Sequence, residues 1–89
     1  MKQPKRSAQK RITTTSKILR FMRMSRRIPM REAGARNGIS YSSINHYEQG
    51  RMDISPDRLQ QLVESYGYTM QDFDEYKAGK PLPVLSIKD

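Results

Sequence analysis

Residues 30–49, Met-Arg-Glu-Ala-Gly-Ala-Arg-Asn-Gly-Ile-Ser-Tyr-Ser-Ser-Ile-Asn-His-Tyr-Glu-Gln, constrain the fold more than any other stretch, because they read as two short helices folded about a glycine. Gly38 can take the left-handed backbone conformation that ends one helix, and Ser40 can cap the next. Ala33 and Gly34 are small enough to let two helix backbones approach. On the second of these helices Ile39, Ile44 and Tyr47 are expected to pin the chain inward. That leaves Tyr41, Ser42, Asn45 and His46 as a mixed polar outer surface.

The flanking residues predict three more helices. Thr15 or Ser16 can cap a first helix from Lys17 to about Arg27, in which Ile18, Leu19, Phe21, Met22 and Met24 alternate with arginines at helical spacing. Pro29 suits the first turn of the second, which is expected to run to about Arg36, and the third is expected from about Ser40 to Glu48, ended by Gly50. Ser55 caps and Pro56 opens a fourth, whose Leu59, Leu62, Val63 and Tyr66 fall at i, i+3, i+4 and i+7 before Gly67 closes it. Thr69 caps a short fifth, with Met70, Phe73 and Tyr76 inward, ahead of Gly79. Met22, Met24, Leu59, Leu62, Val63, Phe73 and Tyr76 are the expected core.

At the ends the composition changes. Residues 1–14 have almost no apolar content and are expected to form a mobile basic arm, and residues 15–79 form one all-α domain. Pro81 and Pro83 bar a helix from residues 80–89, where Val84, Leu85 and Ile87 suit an extended tail. Leu82 to Ile87 offers a strand-like contact to a second copy, with the surface of the fifth helix as the alternative.

Charge is polarised along the chain. Residues 1–36 hold twelve Lys and Arg against Glu32 alone, a net of +11, while residues 37–89 hold five against eight, a net of −3, and together they give +8. Such a field draws polyanions, whether nucleic acid or an anionic membrane surface. A solvated basic face that only aids solubility is the plain alternative. No apolar run approaches membrane-spanning length, and the absence of cysteine suits a reducing cytoplasm. With one histidine, no cysteine and no glycine-rich phosphate loop, neither catalysis nor a metal or other cofactor is expected, and Asp72, Asp74 and Glu75 read as a solvated helix face.

The polar surface on the third helix suits base edges in a major groove of double-stranded DNA. Tyr41 can touch a thymine methyl or stack on a base edge, Asn45 can pair with adenine, and His46 can donate to a purine acceptor. Each also has a plain reading as a surface residue. Phosphate contact is expected of Arg31 and Arg51, whereas about half of Arg20, Arg26, Arg27 and Arg36 are expected to be only solvated. Lys5, Arg6, Lys10 and Arg11 of the arm can follow the backbone or enter a minor groove.

Gly38-Ile39-Ser40, Ser43-Ile44, Tyr47-Glu48-Gln49-Gly50-Arg51, the proline-initiated fourth helix and Gly67-Tyr-Thr-Met-Gln-Asp-Phe73 together resemble the phage repressor and Cro-type helix-turn-helix family over residues 16–76. The resemblance implies a compact five-helix, lambda-repressor-like domain whose third helix enters the major groove. It implies that Tyr41, Ser42 and His46 face bases, with Asn45 on the same face, and that Ser40, Ser43, Gln49 and Arg51 contact the DNA backbone. Arg23 and Glu48 correspond to a pair that braces the third helix. Met30 stands where the family has a phosphate-binding glutamine, Ala33-Gly34 where it has leucine-alanine, and Asn37 where it has leucine or valine. The second helix is therefore expected to be less stable and less buried than usual, Gly34 alone costing up to about 1 kcal/mol relative to alanine.

The expected function is sequence-specific DNA binding by a transcriptional regulator, a repressor that binds a palindromic operator as a homodimer. Two alternatives stay open. One is an antitoxin-type module that binds a protein partner and its own promoter, and the other is non-specific nucleic-acid binding through the arm.

Overall fold

A computed structural model describes residues 12–82, which form five α-helices. They are α1 (Thr14–Ser25), α2 (Met30–Asn37), α3 (Tyr41–Gln49), α4 (Pro56–Ser65) and α5 (Met70–Lys77). No strand occurs among the described residues, and the domain is all-α. The expected arm residues up to Arg11 and the tail from Pro83 lie outside this range.

Local chemistry sets the helix ends. Ser40, Ser55 and Thr69 each accept a backbone N–H from the third residue on, those of Ser43, Arg58 and Asp72, which satisfies one otherwise orphaned donor per helix. Gly38 and Gly50 end α2 and α3 with φ of 68° and 74°, a region costly for any residue with a Cβ. The start of α1 corrects the sequence reading. Thr13, rather than Thr15 or Ser16, is its cap, because Ser16 hydroxyl and Thr13 backbone close a reciprocal capping box. Pro29 stands just outside α2 as its flanking residue, not in its first turn, and makes no side-chain capping bond.

Every helix contributes to one core. Ile18, Leu19 and Met22 of α1 meet Ala33 of α2, Ile44 of α3, Leu62 and Val63 of α4 and Phe73 of α5, with Ile28, Tyr66 and Tyr68 closing the corners. Met24 does not belong to it. A turn of about 100° per residue carries Met24 to the far side of α1 from Met22 and Phe21 to its flank, leaving them 52% and 48% exposed. Leu59 and Tyr76 are half-buried against the core.

The second helix is more deeply seated than its composition suggests. Asn37, only 5% exposed, donates from Nδ2 to the Ala33 carbonyl at 2.8 Å and to Ser65 Oγ at 3.0 Å, so a polar side chain fills the place of an apolar one. Gly34 lies against the turn so closely that a Cβ there would stand 2.5 Å from the Ile39 carbonyl oxygen. The missing methyl group is what lets α3 approach α2 at this angle.

Candidate nucleic-acid interface

The presentation of α3 begins with a buried ion pair beneath it. Arg23 Nε donates to Glu48 Oε2 at 2.6 Å and Nη2 donates to Oε1 at 2.9 Å, while Nη1 reaches the Ile28 carbonyl at 2.8 Å. The planar guanidinium matches the carboxylate at two points and so fixes the rotation of α3 against α1. Hydrogen bonding to Glu48 raises the Arg23 pKa above its ordinary value, outweighing the opposing effect of burial.

With Ile44 and Glu48 buried, the helical period brings Ser42, Asn45, His46 and Gln49 onto one stripe of α3. Tyr41 and Ser42 are exposed, whereas Asn45, His46 and Gln49 are half-buried, so the stripe is flatter than a fully projecting one. Nδ1 of His46 is buried with no hydrogen-bond partner. Ser40 and Ser43 meet at the start of the helix, where Ser40 Oγ accepts the Ser43 N–H at 3.2 Å. Arg51 follows Gly50 with an exposed side chain, its N–H bonded to the His46 carbonyl at 2.9 Å.

The start of α2 adjoins the start of α3. The Arg31 guanidinium carbon lies 5.4 Å from the centroid of the Tyr41 ring, a cation–π contact that joins an exposed cation to an exposed aromatic. Residues 19–73, more than half of the chain, match the helix-turn-helix family model. The chain belongs to the Cro/C1-type helix-turn-helix family. A comparison with curated proteins gave no match. Membership makes the protein a DNA-binding transcription regulator in general terms.

Within this helix-turn-helix domain the arginines divide by what they touch. Arg26 donates to the carbonyls of Tyr66 and Gly67 at 3.1 and 3.2 Å and lies 3.9 Å over the Tyr68 ring. Arg36 pairs with Glu32 and donates to the Ser65 carbonyl at 2.6 Å, and Arg58 reaches the Asn37 carbonyl at 3.3 Å. These three are fasteners between elements, a role that no local pattern announces because each acceptor is a backbone carbonyl far away in sequence. Arg20, Arg27, Arg31 and Arg51 are exposed. Met30, in the glutamine position of the family, is half-buried against the core. Lys5, Arg6, Lys10 and Arg11 fall outside the described residues.

Among the described residues no group of acids and histidine is arranged to hold a metal ion, and no helix is long and apolar enough to cross a membrane.

Proposed function

We propose that the protein is a repressor that binds a palindromic operator as a homodimer, with one α3 per subunit in successive major grooves about 34 Å apart. The observation that carries this reading is the polar stripe on α3, held at a fixed rotation by the Arg23–Glu48 pair. Tyr41, Ser42, Asn45 and His46 act as the base-reading residues. Amide, hydroxyl, imidazole and methyl-contacting aromatic chemistry together suit a mixed sequence better than a run of one base pair.

Arg31, Ser40, Ser43, Gln49 and Arg51 act on the phosphate backbone and set the register in which those bases are read. Arg31 takes over the phosphate contact that Met30 cannot make, and its neighbour Tyr41 ties that contact to the first base-reading position. Lys5, Arg6, Lys10 and Arg11 add sequence-independent attraction from the arm. Selection of bound sites from random duplex DNA tests the reading. A palindrome with half-sites one helical turn apart is the expected product, and a bound pool that stays random refutes it.

A further inference from the structure

The side of the domain formed by α1 and α5 carries a groove of about 720 Å³ in which no α2 or α3 residue takes part. Its apolar floor comprises Ile18, Phe21 and Tyr76, the two rings stacked with centroids 5.4 Å apart and planes 10° from parallel. Lys17, Lys77 and Lys80 stand around it, and among the described residues no Asp or Glu lines it. Phe21 remains 48% exposed, a large apolar side chain left to water inside a ring of cations. Elsewhere Arg36 and Arg58 are fastened to backbone carbonyls, whereas among the described residues no hydrogen bond or ion pair engages the side chains of these lysines.

We propose that this groove is a docking site for an acidic, amphipathic segment of a partner protein, which sets one or two apolar side chains on Phe21 and Tyr76 and its carboxylates against Lys17, Lys77 and Lys80. Charge complementarity selects this occupant. A two-fold contact between copies through the same face would set the three lysines against their own counterparts. Along α1 the groove runs from Thr14 to Phe21, about 10 Å at 1.5 Å per residue. That length takes about three residues of extended peptide, but it is short for the tracks of about 4–16 nucleotides on which single strands are held. The site is separate from the α3 surface, so its occupation does not depend on the operator reading.

The test uses the isotope-labelled full chain titrated with the blocked peptide Asp-Glu-Phe-Asp-Leu-Leu-Glu and with its counterpart bearing lysine for every acid. The acidic peptide is expected to shift the amide signals of Phe21, Tyr76 and Lys77 to saturation, and the lysine peptide to leave them in place. Phe21→Asp should weaken binding at least ~10-fold, and so should Lys17→Glu/Lys77→Glu, while Arg51→Glu leaves it unchanged. Because both lysines are exposed, the charge variant gives an answer even if Phe21→Asp fails to fold.

Several outcomes overturn the proposal. They are no saturable shift at millimolar peptide, equal response to the lysine peptide, shifts centred on α3, or displacement of the acidic peptide by oligothymidine. Nuclear Overhauser contacts from Val84, Leu85 or Ile87 to Phe21 in the free chain would assign the groove to the protein's own tail. Concentration-dependent shifts of the groove without peptide would assign it to a second copy.

Discussion

Removing the two members of the Arg23–Glu48 pair one at a time should cost unequal amounts, and the inequality follows from where each charge sits. The Glu48 side chain is 1% exposed and that of Arg23 is 9% exposed. Arg23→Met leaves a carboxylate sealed in the interior without a cation, which costs about 3–5 kcal/mol. In Glu48→Met the guanidinium keeps its bond to the Ile28 carbonyl and lies nearer water, so the loss should be smaller, about 2–3 kcal/mol. The double variant Arg23→Met/Glu48→Met removes both charges and should recover to within about 1 kcal/mol of the parent.

Urea unfolding followed by circular dichroism measures all four proteins at one pH, with equal denaturant slopes confirming comparable folded states. At 4–8 °C per kcal/mol for a domain of this size, Arg23→Met should lower Tm by roughly 12–40 °C. If that variant does not fold at all, refolding of the double variant still reports the coupling. Glu48→Met costing more than Arg23→Met, or a double variant as unstable as Arg23→Met alone, would refute the reasoning from burial.

Four further outcomes are expected. Gly34→Ala gains up to about 1 kcal/mol of helix propensity but drives a methyl group against the Ile39 carbonyl, an overlap costing about 1–3 kcal/mol, so Tm should fall and a rise would count against the close α2–α3 approach. Burial, and behind it the Glu48 carboxylate, push the Tyr66 hydroxyl well above the ordinary tyrosine pKa. The folded state thus keeps a proton that the unfolded chain loses near pH 10, so this stabilisation is complete below about pH 10 and declines above it by about 1.4 kcal/mol per pH unit. Thermal scans should show a shallower alkaline decline in Tyr66→Phe. Asn45→Ala should relax preference at one base position by about 1–3 kcal/mol in duplex-binding titrations, whereas Arg51→Ala should weaken all duplexes alike and reduce the salt slope by about 1. Deleting residues 1–11, which spares the Thr13 cap, should lower affinity and salt dependence but keep sequence preference, and loss of preference would argue against reading by α3.

The parts of the fold that were legible in the sequence are those decided within one turn of chain. Ser40, Ser55 and Thr69 cap because their hydroxyls reach an N–H three residues on, and Gly38 and Gly50 end helices because glycine takes the left-handed conformation there without the cost a Cβ brings. The cap at Thr13 has no distinct local signature, because the Thr-Thr-Thr-Ser run offers several equivalent hydroxyls and Ser16 takes the closing role usually held by glutamate or glutamine. Met24 is apolar yet exposed, because its rotation about α1 rather than its hydrophobicity decides which side it takes. Asn37 looks like a weakness by propensity alone, since the partner that makes it fit, Ser65, stands 28 residues away. For the candidate interface, spacing alone brings Ser42, Asn45, His46 and Gln49 onto one stripe, but their partial burial depends on the packing of α3 and has no local signature.

Ser65 has a mechanical consequence. Its carbonyl receives Arg36, its hydroxyl receives Asn37, and that hydroxyl in turn donates to the Leu62 carbonyl at 2.7 Å. Arg58 completes the circuit from α4 back to the Asn37 carbonyl. The C-terminal end of α2 is thereby riveted to both the first turn and the last residue of α4, and α3 is mounted on the edge of this plate through the Gly34 contact. Amides of α2 and α4 should open together in hydrogen exchange, and a load applied to α3 is passed on to both of these helices.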